Sequence, residues 1–190
     1  HKIASLHYRS YFPNLTNYEN FMKASNKAVG FIAAFIQVQL YLNQENCNEN
    51  TFFLDSTPVT VCENRYISSH KVAKAIASRG KSTKGWFYGF KLQGVCTKDG
   101  TLVKICFRPG SEHDSKAFDD STKGLKGTFV TDAGYLLKES ELKEMFESGR
   151  KPCTATRKNM NRLMSEEQFQ LLNRRNIIEN VWSVLKLNYN

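Results

Sequence analysis

Two strand-like runs separated by Lys98-Asp99-Gly100 constrain this chain more than any other feature. WFYGFKLQGVCT (86–97) and TLVKICFRP (101–109) are rich in aromatic and β-branched residues, and the Gly-ending turn between them predicts a β-hairpin. An isolated hairpin is marginal in water, so the fold rests on what flanks it. TFFLDSTPVTVC (51–62) reads as a strand upstream, and GTFVTDAGY (127–135) as a short buried strand ending in an acid and a Gly. KPCTATRKN (151–159) reads as a fifth strand. Between and after them lie helical stretches. SEHDSKAFDD (111–120) starts a helix with Ser111 or Asp114 as its cap, and LKESELKEMFES (137–148) is amphipathic and closed by Gly149. Ser165 caps one long helix running to Leu187. The order strand, strand, strand, helix, strand, helix, strand, helix predicts an α/β fold, a mixed sheet with helices packed on it.

Ahead of the sheet, apolar positions at Phe21, Val29, Ile32, Phe35, Ile36 and Leu40 predict a single helix from Tyr18 to about Asn43, with Asn17 as its N-cap. Residues 1–17 give no clear element, 43–50 read as a linker, and 63–85 as a polar, basic insertion. Two parts follow: an N-terminal helical segment, 1–48, and a domain, 49–190. The chain opens without Met and stops shortly after Lys186, so it reads as a piece of something longer with a truncated C-terminus.

Composition narrows the class. A formal net charge of +9 favours a polyanionic partner, nucleic acid before an acidic membrane surface. The most apolar run, Ala28 to Leu42, is interrupted by Gln37 and Gln39 and is shorter than the roughly 20 residues a spanning helix needs. No charged-then-apolar leader opens the chain. The 5 cysteines are scattered without a C-x-x-C pair, which argues against a disulfide framework and a structural zinc site and for a reducing, cytoplasmic compartment. Nothing resembles a Ser-His-Asp or Cys-His nucleophile arrangement.

Most acids fit turns and solvated helix faces. Three do not. Asp55 follows Phe52-Phe53-Leu54 and Asp132 follows Phe129-Val130-Thr131, each at or near the end of a buried strand, where sites in open α/β sheets are assembled. A lone Asp there is more often a turn or cap residue. Glu179 is the third. On a helical wheel of about 100° per residue with Leu172 at zero, Arg175, Glu179 and Lys186 fall near 300°, 340° and 320°. Ile177, Ile178, Val181, Trp182, Val184 and Leu185 spread over roughly 120° to 280° on that wheel. The polar stripe thus borders the buried face, and taken alone it is more often an ordinary Arg175–Glu179 ion-pair ladder on a surface helix.

These blocks resemble the DDE transposases of bacterial insertion sequences, whose third acid sits in Y-x2-R-x3-E-x6-K. Here Leu172-x2-Arg175-x3-Glu179-x6-Lys186 keeps Arg, Glu and Lys at that spacing and carries Leu in place of Tyr. FLDSTPVTVC resembles the family's first-Asp strand and FVTDAGY its second; GWFYGFKLQGVCTKDG and PGSEHDSKAF resemble the hairpin and helix start between them, and HYRSYFPNL matches more weakly. The resemblance implies a ribonuclease-H-like fold and a catalytic, metal-binding triad of Asp55, Asp132 and Glu179. It implies Mg²⁺ or Mn²⁺, two ions, at hard oxygen ligands, for cleavage and joining of DNA strands. It further implies element ends and target DNA as partners, a homo-oligomer on DNA, and Arg175 and Lys186 contacting phosphate or positioning the helix. A non-catalytic fragment of a decayed transposase and another nuclease of the same fold are the alternatives.

Two acid-free stretches support a DNA-tracking role. Arg79, Lys81, Lys84 and Lys91 belong to the first, between Glu63 and Asp99, and Arg157 and Lys158 to the second, 148–165. Trp86, Phe87 and Tyr88 adjoin the first and read either as core or as a stack for an unpaired base. His113-Asp114 reads either as a satisfied helix start or as a further polar group near the metal site.

Overall fold

A computed structural model describes residues 1–156 and 163–189. Two compact units divide the chain, His1–Leu42 and Asn43–Asn190. In the first, α1 (Lys2–His7) occupies a region that composition leaves blank. The expected single helix is instead two, α2 (Tyr18–Lys27) and α3 (Val29–Glu45). Ala28 leaves helical geometry (φ −91°, ψ 4°) and its N–H bonds back to the Ala24 and Ser25 carbonyls, a break that apolar periodicity does not register. Asn17 caps α2 as expected, its Oδ1 accepting from the Asn20 N–H at 2.9 Å.

The second unit holds a six-stranded mixed sheet. Its strands are β1 (Thr51–Cys62), β2 (Ser78–Ser82), β3 (Gly85–Cys96), β4 (Leu102–Pro109), β5 (Gly127–Thr131) and β6 (Arg150–Thr154). β1 pairs antiparallel with β3, and β5 is parallel to both β1 and β6. On its other edge the long β3 pairs first with β2 and then, in the predicted hairpin, with β4. Four helices accompany the sheet: α4 (Asp114–Thr122), α5 (Glu139–Glu147), α6 (Glu166–Asn173) and α7 (Asn176–Tyr189). This is the ribonuclease-H-like arrangement that the resemblance implied.

Period-two alternation sorts the core into two halves. Phe52, Leu54 and Phe129 pack with Phe118 of α4 and Met145 of α5 on one face. Phe53, Val130 and Cys96 pack with Ile178 and Trp182 of α7 on the other. Burial on both faces explains why the β1 and β5 runs read as continuous apolar blocks rather than alternating ones.

Several sequence expectations need correction. The 63–85 insertion contains a strand, β2, which composition conceals because SRGKS is polar, basic and lacks β-branched residues. The 165–187 helix is broken at Arg174 (φ −86°, ψ 2°), where helix α6 ends, although Ser165 caps it as expected. Neither Ser111 nor Asp114 caps α4; His113 occupies that position without a side-chain cap bond. β6 ends at Thr154, and 157–159 of its expected span lie outside the described residues.

Candidate active site

Asp55 lies in the middle of β1 and not at its end, but at the end of one pairing. β1 and β5 run together only through Phe53↔Val130; beyond that β1 continues against β3 alone. Asp132 follows the last residue of β5. The two acids thus share the mouth that opens where the parallel strands part, the usual place for a site in such a sheet. α7 brings the third element. Its Ile178 and Trp182 are buried against the sheet while Glu179 stays exposed beside them.

Gly94, paired with Asp55 across the β1–β3 ladder, lets the helix come this close. A Cβ there would stand 2.6 Å from the Trp182 Cη2. Only a glycine accommodates that approach.

A cavity of about 490 Å³ results, and Asp55, Asp132, Glu179 and Asp114 all line it. Lys81, Lys91 and Arg175 line it too, with Ser56, Ser82 and Thr83 among the remaining groups. Burial pushes the Asp55 carboxyl up to about 6; a hydrogen bond from the Ser56 backbone opposes this, Asp132 and Glu179 raise it further, and Arg175 lowers it. Asp132 Oδ1 accepts the Gly134 N–H at 2.8 Å, so its carboxylate also caps the short turn Ala133–Tyr135. Glu179 Oε1 takes Arg175 Nη2 at 2.9 Å. The cap and the ion pair that would explain these acids without a site are therefore both present, and the acids still converge.

The cavity's donor set is hard carboxylate oxygen, which suits Mg²⁺ or Mn²⁺ and not a soft or borderline metal. The raised Asp55 carboxyl records, besides its burial, a mutual repulsion that a cation would relieve. Among the described residues, however, no three His, Cys, Asp or Glu side chains are gathered as a ready-made ion cluster. Closing such a cluster requires side-chain movement, of which freeing Glu179 from Arg175 is the obvious one.

The expected DNA-contacting cations disperse. Arg79, Lys81 and Lys84 are exposed on the β2–β3 hairpin, and only Lys81 reaches the cavity. The Arg79 guanidinium and the Lys81 ammonium stand 5.2 and 5.6 Å from the centre of the exposed Trp86 ring. Phe87 and Tyr88, by contrast, are buried. Lys91 is turned inward, donating to Asp114 and the Glu112 carbonyl. Lys186 is exposed and lines a different cavity of about 380 Å³, shared with Thr57 and Trp182. Arg157 and Lys158 lie outside the described residues.

Sequence reasoning missed Ser82, Thr83 and Ser56 as lining groups. The first two depended on recognising β2, whose only local signal is the Thr83-Lys84 turn ahead of Gly85 (φ +115°). Cys47, Cys62, Cys96 and Cys106 are free thiols. Among the described residues no helix is long and apolar enough to cross a membrane. No curated protein and no solved structure matches the chain. Residues 45–189, most of the chain and all of the elements that build the cavity, match the family described as transposase DDE domain. That match spans well over half of the chain, and by it the chain belongs to the DDE transposases.

Proposed function

We propose that this chain is the catalytic core of an insertion-sequence transposase that cleaves DNA strands and joins them to a target. The observation that carries the reading is the convergence of Asp55, Asp132 and Glu179, from three separate elements, on one cavity that also presents Lys81 and Arg175. In it, Asp55, Asp132 and Glu179 would hold two divalent ions, Mg²⁺ or Mn²⁺. When bound, such ions supply activation of an attacking hydroxyl and stabilisation of the leaving oxygen in an in-line displacement. The chain's own residues do the rest. Asp55 and Asp132 hold their carboxylates on a rigid sheet, which pre-organises them. Glu179 is delivered from α7 and exchanges its Arg175 partner for the site; Arg175 is then available to a DNA phosphate.

DNA, in this reading, runs along the β2–β3 hairpin. Arg79, Lys81 and Lys84 contact its backbone, and Lys186, Arg157 and Lys158 are further cations for DNA phosphates. Trp86, already flanked by two cations, offers its ring to an unpaired base. The protein works as a homo-oligomer on the element ends, and residues 1–48 are the remnant of a DNA-binding region.

Metal-dependent nicking of supercoiled plasmid, beside Asp132→Asn, tests this. Nicking in Mg²⁺ or Mn²⁺ that the variant loses supports the reading, and joining of a pre-cut element end to plasmid separates a transposase from another nuclease. One observation favours a second reading, a non-catalytic DNA-binding fragment: Glu179 is paired with Arg175 and no ready ion cluster stands among the described residues. DNA binding with neither nicking nor calorimetric Mn²⁺ binding would decide for it.

A further inference from the structure

The cavity holds a fourth acid, Asp114, and its surroundings set it apart from the other three. As the first residue of α4 it has an ordinary reading, an acid favoured by the helix dipole. Its contacts go further. Asp114 Oδ1 accepts from Ser56 Oγ at 2.9 Å and from Lys91 Nζ at 3.1 Å. Lys91 Nζ also donates to the Glu112 carbonyl at 2.9 Å, so the ammonium is tied to the α4 entry by two bonds. Side-chain exposures of 15% for Lys91 and 26% for Asp114 make this a partly buried pair, which is screened far less than a surface pair.

The register says what the pair holds. Directly opposed residues of an antiparallel ladder share a face, so Ser56 with Gln93 and Pro58 with Lys91 lie on the α4 side of β1, while Asp55 with Gly94 lies on the α7 side. Asp114 therefore grips β1 from behind Asp55, through the next residue, and leaves the face of Asp55 open. Its second oxygen lies beside the other acid's turn, close enough that a Cβ added to Gly134 would stand 3.7 Å from Asp114 Oδ2 and 2.9 Å from Asp132 Oδ1. Gly134 is the residue whose amide Asp132 caps. Beneath lies the fully buried Tyr135, whose hydroxyl accepts from Gln93 Nε2 at 3.2 Å on the same face of the sheet.

We propose that Asp114, charge-balanced by Lys91, is a positioning residue that fastens the strand bearing Asp55 to the turn bearing Asp132 and so sets the spacing of the two acids. The proposal rests on the reading of those acids as the metal-binding pair, and it assigns Lys91 to the site's framework and not to DNA. In this proposal Asp114 acts through Oδ1, which is taken up by Ser56 and Lys91.

The test compares Asp114→Ala, Asp114→Asn, Lys91→Met and Ser56→Ala with Asp55→Asn, in the whole chain. Three readouts are used: calorimetric Mn²⁺ binding, the kcat and KM of plasmid nicking, and hydrogen exchange of the Gly134 amide. The proposal is supported by a roughly 10–100-fold loss of Mn²⁺ affinity or kcat at nearly constant KM in Asp114→Ala, with partial rescue in Asp114→Asn, whose amide oxygen still accepts from Ser56 and Lys91. Gly134 exchange quickens by at least about tenfold in Asp114→Ala while global unfolding is unchanged. Mn²⁺ affinity, kcat and Gly134 protection all equal to wild type would overturn the proposal. Wild-type Mn²⁺ binding by Asp55→Asn would instead defeat the metal-site reading, and Gly134 exchange would still decide whether Asp114 fastens the turn. If Asp114→Ala does not fold, Ser56→Ala and Lys91→Met carry the same comparison.

Discussion

The Trp182 ring rests on Gly94, the residue across the ladder from Asp55. Through that contact the third acid's helix is seated on the strand pair that carries the first. A side chain at 94 would displace the indole, and with it the turn of α7 that carries Glu179.

Gly94→Ala is accordingly expected to destabilise the protein by about 1–3 kcal/mol through overpacking, and to lower nicking activity more than that loss of stability explains. Urea unfolding monitored by Trp fluorescence, alongside plasmid nicking at a temperature where both proteins are folded, checks the two effects. A variant with wild-type stability and activity would mean that α7 is seated by other contacts.

Asp55 makes stability depend on pH in a defined direction. Its folded pKa of about 6 lies above the ordinary value of 3.8, so the native state binds more protons than the unfolded state between those pH values. Stability of the metal-free protein therefore falls as pH rises through about 4 to 6, and the full penalty is present above that window. Removing the charge with Asp55→Asn should stabilise the metal-free protein at pH 8 by up to about 2–3 kcal/mol, an advantage that disappears below about pH 4. Adding Mn²⁺ should raise the Tm of wild type and not of the variant. Calorimetric unfolding across pH 3.5–8 measures both; an Asp55→Asn protein less stable than wild type at pH 8 contradicts the argument.

Neutralising Arg79 and Lys81 on the exposed hairpin should weaken binding to unrelated duplex sequences to a similar extent. Every cation that no longer meets a phosphate should reduce the steepness of log K against log salt by about 1. Lys91→Met should leave that slope unchanged, since its ammonium faces Asp114 and Glu112. Fluorescence anisotropy titrations between low and moderate salt distinguish the two; an equal change of slope in Lys91→Met would return Lys91 to the DNA surface.

Cys96 should be chemically silent in the folded protein. It is fully buried, and burial with Asp99 nearby pushes its thiol up to about 12. Alkylation at pH 8 should label Cys47, Cys62 and Cys106 before Cys96, which reacts only after denaturation. Peptide mapping of the time course shows the order.

Local chemistry was readable from residue order alone: the 86–109 hairpin, the Asn17 and Ser165 caps, the apolar blocks before Asp55 and Asp132, and the face of α7 that buries Ile178 and Trp182. Turn chemistry, capping and periodicity act within a few residues, so they are written in the sequence. Other features were decided only by residues far apart in the chain. β2 exists because β3 offers it an edge, not because SRGKS favours a strand. Asp55 is placed where β5 stops pairing with β1, and Glu179 lines the same cavity because Gly94 lets Trp182 in. Asp114, a short way past the hairpin strand β4, meets Ser56 and Lys91 only once α4 packs on the sheet. Lys186 keeps its spacing from Glu179 along the helix yet opens onto another cavity, because helical periodicity fixes direction around an axis and not what the neighbouring strands place there.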